Sequence, residues 1–250
     1  MIPQIVILAG GKGLRLAERL RRPDGEMLPK PLVPVKGVPL LERQMRHAAV
    51  CGANNIVILV NHKAEAIEAF CRNNAPDGIT IRIIDDGIPR GTAGAVFNAL
   101  DSLDEEFCVM YGDTLLNVNL ERFYIFHTSH NADITVMVHP NDHPHDSDLL
   151  DVDEDGTIKA IHAYPHPEGA NYRNIVNAAL YYVRKKALMP FKNMDQPIDF
   201  AKDLFPLMLA KGQKIMTYAS DEYIKDIGTP DRLDRAEKDI ESGKFIGEKK

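Results

Sequence analysis

Five short apolar runs, IVILA (5–9), NIVILV (55–60), ITIRII (79–84), FCVMY (107–111) and DITVMV (133–138), alternate with stretches whose apolar residues recur at helical spacing, near 40–51, 63–74, 92–100 and 119–130. Strands so continuously apolar have no face to offer water. The alternation therefore predicts an α/β fold, a mostly parallel sheet covered by helices on both faces. Beyond about residue 140 the texture changes. Two short strands flank the turn DEDG (153–156), IVNAALYYV (175–183) reads as a further strand, and a helix is expected near 199–211. Strands near 214–218 and 223–226 and a closing helix from about 230 complete the pattern. No Pro/Gly/Ser linker separates this second half, so it reads as an elaboration of the same sheet. There is no internal repeat, and the only biased segment is the basic tail GEKK (247–250).

Charge narrows the function. The chain carries 30 Lys and Arg against 36 Asp and Glu, a net charge of −6, which argues against broad nucleic-acid binding through phosphate neutralisation. An anionic ligand must meet local positive charge instead. Cys51, Cys71 and Cys108 are odd in number and lack CxxC spacing, so neither a disulfide framework nor a structural zinc site is expected. No charged leader precedes the first apolar run, and no segment approaches the roughly 20 apolar residues that span a bilayer. A cytoplasmic protein with no membrane partner is expected.

The stretch LAGGKGLR (8–15) stands at the carboxyl end of the first strand, where open α/β sheets bind ligands. Leu8, Ala9, Gly10, Gly11, Lys12 and Gly13 form a loop whose glycines let backbone N–H groups approach an anion. It is neither a dinucleotide fingerprint, since Gly11 and Gly13 are followed by Leu16 where a third glycine or alanine should stand, nor a Walker loop. A plain glycine-rich turn is the alternative; Lys12 and Arg15 favour a polyphosphate, because they add cations to the backbone donors.

With PKPLVPV (29–35) behind it, this loop resembles the signature of the sugar-1-phosphate nucleotidyltransferases, a GGxGTRL-type loop followed by a PKPLxPV segment. RGTAGAV (90–96), YGDTL (111–115), VNAALYYV (176–183) and IKDIGTPDRL (224–233) are similar, in order, to the family's base- and ribose-side loop, first metal-aspartate loop, sugar-binding strand and second metal-aspartate segment. Among its branches, the bacterial heptose- and mannose-1-phosphate guanylyltransferases look most similar. The resemblance implies a Rossmann-like, glycosyltransferase A-like fold with a mixed, mostly parallel sheet, and a single domain over 1–250. Residues 1–138 would be its nucleotide-binding half and 139–250 its sugar-phosphate-binding half. It also implies an NTP and a sugar 1-phosphate as partners, Mg²⁺ as cofactor, nucleotide-sugar biosynthesis for capsule or lipopolysaccharide, and an assembly compatible with a homodimer.

The chemistry asks for such residues. A sugar-phosphate oxygen attacks the α-phosphorus and pyrophosphate leaves, so catalysis is alignment plus neutralisation of phosphate charge. The resemblance assigns Arg15, Lys30 and Asp113 to catalysis, with Asp113 and Asp226 holding Mg²⁺. It places Gly91, Thr92 and Ala93 with the glycine loop on the nucleotide, and Gly112, Asn177 and His166 on the sugar phosphate. Each has a plainer alternative. Asp113 and Asp226 suit turns or helix caps, Arg15 and Lys30 suit a solvated surface, and Asn177 could bond within its own sheet.

Departures from the family pattern bear on detail. Leu14 replaces the usual threonine, RLAERLRRPDGEM lengthens the loop before Lys30 into a possible lid, and His166 stands near the place of a phosphate-binding lysine. His139, His143 and His145 lie among Asp142 and Asp146; exposed loop histidines are the expectation there, a metal site the alternative. Relatives specific for uracil or thymine carry a glutamine before the RGTAG loop, whereas here DDGIPRGTAG offers Asp85 and Asp86. A carboxylate accepts guanine's N1–H and N2–H₂ together, which favours GTP with Asp86 as reader; both aspartates merely shaping a turn is the alternative. UTP, CTP or dTTP as donor, a non-sugar phosphate acceptor such as phosphocholine, and a non-catalytic sugar-nucleotide-binding subunit remain the other readings.

Overall fold

A computed structural model describes residues 2–195 and 197–245; the basic tail at 247–250 lies outside the described residues. The chain forms two compact units interleaved in sequence. The first takes residues up to Ile88, Met110–Glu121 and those from Glu222 on; the second takes Pro89–Val109 and Arg122–Asp221.

In the first unit the strands Gln4–Leu8, Asn55–Val60 and Thr80–Asp85 lie side by side in that order, all parallel. Ile5, Val6, Ile7 and Ile56 through Val60 are buried on both faces, each contributing about 1.5–3 kcal/mol of burial. The helices Leu40–Val50 and Ala64–Asn74 follow their strands as the periodicity requires. A second core gathers Leu16, Leu20, Val33, Leu40, Leu115 and Ile227, so the segments that carry the glycine loop, the proline segment and both aspartates share one apolar floor.

In the second unit Val176–Arg184 runs antiparallel to Ile134–His139, which pairs parallel with Ile215–Ala219. Leu149–Val152 and Ile158–His162 form the hairpin expected around DEDG. Its core is aromatic: Phe123 lies 4.8 Å from Tyr182 and 4.9 Å from Tyr218, and Tyr181 lies 5.2 Å from Phe200, ring centre to ring centre.

Two local features differ from the sequence expectation. The helix near 199–211 opens as a π-turn, Phe200–Leu204, before the α-helix Phe205–Ala210. Pro206 has no N–H to give, and Leu204 and Phe205 donate one residue further back, to Asp199 and Phe200. The other is an unanticipated strand, Thr114–Asn117, antiparallel to Tyr223–Asp226. Its four residues fall inside YGDTLLNV, too short for an alternating pattern to register.

Candidate active site

Gly112 brings the Asp113 turn against the first strand. Its N–H donates to Leu8 O at 2.9 Å, and a Cβ there would lie 2.6 Å from the same oxygen, so only glycine allows the approach. Asp113 is thereby placed beside the glycine loop. The lysine between the prolines meets it: Lys30 Nζ donates to Asp113 Oδ2 at 2.5 Å, with both side chains largely shielded. Pro29 is extended and Lys30–Leu32 form one 3₁₀ turn, closed by Val33 N–H on Lys30 O at 3.0 Å. Gly13, at φ 66°, underlies the same side chain; a Cβ there would lie 3.0 Å from Lys30 Cβ.

The second aspartate joins through strand pairing. Asp226 stands opposite Thr114, and Ile227 N–H donates to Asp113 O at 2.9 Å, which fastens the two aspartate loops together. Asp226 Oδ1 accepts Gly228 N–H at 2.5 Å, and Oδ2 pairs with Arg232 from the first turn of the closing helix Pro230–Glu241. Arg15 reaches the same place: a Cβ on Gly228 would lie 2.7 Å from Asp226 Oδ1 and 3.4 Å from Arg15 Nη2. Lys12 and Arg15 are exposed. The first unit thus gathers Arg15, Lys30, Asp113 and Asp226, drawn from four separate stretches of sequence.

The longer loop before Lys30 is a closed turn. Arg22 N–H donates to Glu26 O at 2.7 Å and Leu28 N–H to Leu20 O at 2.7 Å, with Lys63 on the Met27 carbonyl. Leu14 is 78% exposed beside it. At the end of the third strand the two aspartates separate in kind. Asp85 is exposed and caps its own turn through Gly87 N–H at 2.8 Å, whereas Asp86 is 7% exposed.

In the second unit the RGTAG loop packs on Ile198 and Asp199. A Cβ on Gly91, at φ 74°, would lie 2.6 Å from the Ile198 carbonyl carbon. Asp199 Oδ1 accepts from Thr92 N–H at 3.0 Å and from the Thr92 hydroxyl at 3.1 Å, while Ala93 and Gly94 N–H donate to Ile198 O. The first donors of the helix Thr92–Ala99 are therefore taken within the protein. Asn177 bonds within its own strand, Nδ2 to Tyr181 Oη at 3.0 Å and Oδ1 from Ala179 N–H at 3.1 Å, at a bulge where Ala179 has φ 57°. His166 Nε2 lies 3.1 Å from His162 O. Burial holds the Asp148 carboxyl above the usual carboxylate range, although Tyr164 N–H donates to it. His143 pairs with Asp142 at 2.6 Å and His139 with Pro140 O at 2.9 Å. Of the three histidines only His145 is exposed, His139 and His143 being half-buried, and among the described residues no three His, Cys, Asp or Glu side chains gather as a metal site.

Residues 4–243 match the family model described as nucleotidyl transferase. The chain belongs to this family. This nucleotidyl transferase is 26% identical over 240 residues to the mannose-1-phosphate guanylyltransferase of Mycobacterium tuberculosis, covering 95% of the chain but 64% of that protein. It is 28% identical over 243 residues to the D-glycero-alpha-D-manno-heptose 1-phosphate guanylyltransferase of Aneurinibacillus thermoaerophilus, covering 95% of the chain and 98% of that protein. Among solved structures, HddC from Yersinia pseudotuberculosis complexed with GMP-PN superposes with a TM-score of 0.78 at 25% identity, over 96% of this chain and all of that one. The fold is the mixed, mostly parallel sheet flanked by helices of these neighbours. Enzymes of this family generally use divalent metal ions. No helix among the described residues is long and apolar enough to cross a membrane.

Sequence reasoning missed three residues that brace candidate site residues of this nucleotidyl transferase, two in the first unit and one in the second. Gln44, 1% exposed, donates through Nε2 to Tyr111 O at 2.9 Å and Thr114 O at 2.8 Å, bracing both sides of the Asp113 turn. It is the polar interruption in the apolar face Leu40, Leu41, Met45, Ala48, a signal that the sequence does carry. Arg232 and Asp199 sat within or beside quoted segments, but nothing in a linear pattern says that they reach Asp226 and Thr92.

Proposed function

We propose that the chain transfers a nucleotidyl group from GTP to a sugar 1-phosphate of the mannose or heptose type, releasing pyrophosphate. The observation that carries this reading is the convergence of Lys30, Asp113, Asp226 and Arg15, with the two aspartate loops fastened by the Ile227 N–H on Asp113 O. The named relatives and the GMP-PN complex of HddC support the guanine donor and the acceptor class.

In this reading an oxygen of the sugar phosphate forms a bond to the α-phosphorus while the bond from that phosphorus to the bridging oxygen breaks. Pyrophosphate leaves with the electron pair. The loop Leu8 to Gly13 seats the triphosphate, with Lys12 and Arg15 bringing cations to it; neutralising charge that grows on the departing pyrophosphate is worth most in the transition state. Lys30 steadies Asp113 and places its own charge next to the reacting phosphate. Asp86 reads the base, its burial at a strand end supporting that role. Gly91, Thr92 and Ala93 complete the nucleotide contacts through the shape of their loop. Gly112, Asn177 and His166 belong to the sugar-phosphate side.

Asp113 and Asp226 fit Mg²⁺: both offer hard carboxylate oxygens, and both already face a cation, Lys30 for one and Arg232 for the other. When bound there, Mg²⁺ would neutralise phosphate charge and help to align the α-phosphate. The reading also takes the chain as one domain, nucleotide-binding over 1–138 and sugar-phosphate-binding over 139–250. It places the enzyme in the cytoplasm, with a homodimer as the assembly and nucleotide-sugar supply for capsule or lipopolysaccharide as the context. Parallel assays with GTP, UTP, CTP, ATP and dTTP on mannose 1-phosphate and the heptose 1-phosphate test the donor. A preference for UTP or dTTP that survives Asp86→Ala would refute the guanine assignment.

A further inference from the structure

Asn61 follows directly on the Asn55–Val60 strand, and its amide Nδ2 is buried with no hydrogen-bond partner. A buried donor left unpaired costs about 1–3 kcal/mol, so in a native protein such a group calls for an acceptor that the chain itself does not supply. Its surroundings identify what kind. On one side stands the glycine loop: a Cβ on Gly10 would lie 3.2 Å from Asn61 Cβ, and Ala9 N–H donates to Leu59 O at 2.7 Å, fixing the loop against this strand. On the other side stands Asp86. Val60 is the register partner of Asp85, and Asp86 N–H donates to Val60 O at 2.9 Å, so Asn61 and Asp86 leave the sheet side by side. Three adjacent parallel strands therefore end in a phosphate-type loop, an amide donor and a carboxylate.

Guanine's pairing edge presents O6 as an acceptor, then N1–H and N2–H₂ as donors. Adenine presents an amino donor at C6 and an acceptor at N1. We propose that Asn61 is a specificity-determining residue of the base pocket, its Nδ2 donating to guanine O6 while the neighbouring Asp86 carboxylate takes N1–H and N2–H₂. This rests on the guanine reading above. An amide N–H held at that position would face the adenine amino group donor to donor, and the resulting unpaired groups reject the wrong base.

Equilibrium binding of GTP, ITP, ATP, UTP and dTTP with Mg²⁺ to the full-length protein and to Asn61→Leu and Asn61→Ala tests this without needing the sugar. Leucine keeps the volume of the side chain and removes the donor; alanine serves if leucine disturbs folding. The GTP-over-ATP affinity ratio should fall about 10- to 100-fold in either variant, by the loss of one buried donor. ITP keeps O6 and lacks the N2 amino group, so its affinity should fall by the same factor as that of GTP. An unchanged GTP-over-ATP ratio, or a loss for GTP that ITP does not share, would overturn the role of Asn61. A parent protein that binds UTP or dTTP more tightly than GTP would instead overturn the guanine reading on which the proposal rests.

Discussion

Lys30 Nζ donates to Asp113 Oδ2 at 2.5 Å, with 13% and 27% of the two side chains exposed. The lysine set between two prolines therefore belongs to the same constellation as the first aspartate, 83 residues away. Replacing Asp113 by alanine should lower turnover by about a thousandfold or more, since it removes a carboxylate proposed to hold Mg²⁺ and strands a shielded cation. The turn itself is held by backbone and Gln44 contacts, so its melting temperature should stay near that of the parent. Parental turnover in Asp113→Ala would end this mechanism.

Asp226 is open to a subtler probe. A Cβ at Gly228 would lie 2.7 Å from Asp226 Oδ1, closer than such contacts can be, so Gly228→Ala must displace that carboxylate. Turnover should fall about tenfold or more, with a raised Mg²⁺ requirement and a melting temperature close to the parent's. Unchanged Mg²⁺ dependence in a folded variant would separate Asp226 from metal binding.

Arg15 is exposed, and its guanidinium reaches the Gly228 turn. Because its charge is needed most as pyrophosphate departs, Arg15→Ala should lower kcat by a larger factor than it raises KM for the triphosphate. Steady-state kinetics that show a change in KM alone would make Arg15 a ground-state binding residue.

The strands and helices of the chain were legible in sequence because their signals are local: buried strands are apolar throughout, and helices repeat at 3.6 residues. NIVILV was read to its exact ends, Asn55–Val60. Of the candidate site, the sequence singled out the glycine loop, the proline-flanked lysine and the two aspartates that the first unit brings together, since close backbone approach restricts residue type. What stayed hidden was pairing at long range. Gln44 on Tyr111 and Thr114, Arg232 on Asp226 and Asp199 on Thr92 depend on how distant segments meet, and ordinary Gln, Arg and Asp residues announce none of it. The π-turn at Phe200–Leu204 stayed hidden for a different reason: helical spacing near 199–211 marks a helix but not its first turn, where the bonds that Pro206 displaces lie.

Thr92 is a candidate nucleotide-side residue whose visible contacts are internal. Thr92→Val removes the hydroxyl that donates to Asp199 and accepts from Phe200 N–H at 3.0 Å. The variant should lose about 1–3 kcal/mol of unfolding free energy. Urea titration measures this directly, and parental stability would show that the Asp199 contact contributes nothing net.

His127 sets an acid limit on stability. It is fully buried, with Nδ1 at 2.7 Å from the Thr135 hydroxyl, and burial lowers its pKa to about 4 even though Glu106 pulls the other way. The folded state holds it neutral, whereas the unfolded chain protonates it near 6.5. Stability is therefore complete above pH 6.5 and falls as the pH drops toward 4, by about 3 kcal/mol from this group at the lower end. His127→Leu should unfold with a shallower dependence on pH across that window; an unchanged slope would assign the acid sensitivity elsewhere.

The most direct test of the account is pyrophosphate release by the parent protein mixed with GTP, Mg²⁺ and a panel of sugar 1-phosphates that includes mannose 1-phosphate and the heptose 1-phosphate. The account expects release that requires both the sugar phosphate and the metal and that disappears in Asp113→Ala. Binding of GTP or of the sugar nucleotide without release from any member of the panel would contradict it, and would make the chain a sugar-nucleotide-binding protein that keeps the fold without the reaction.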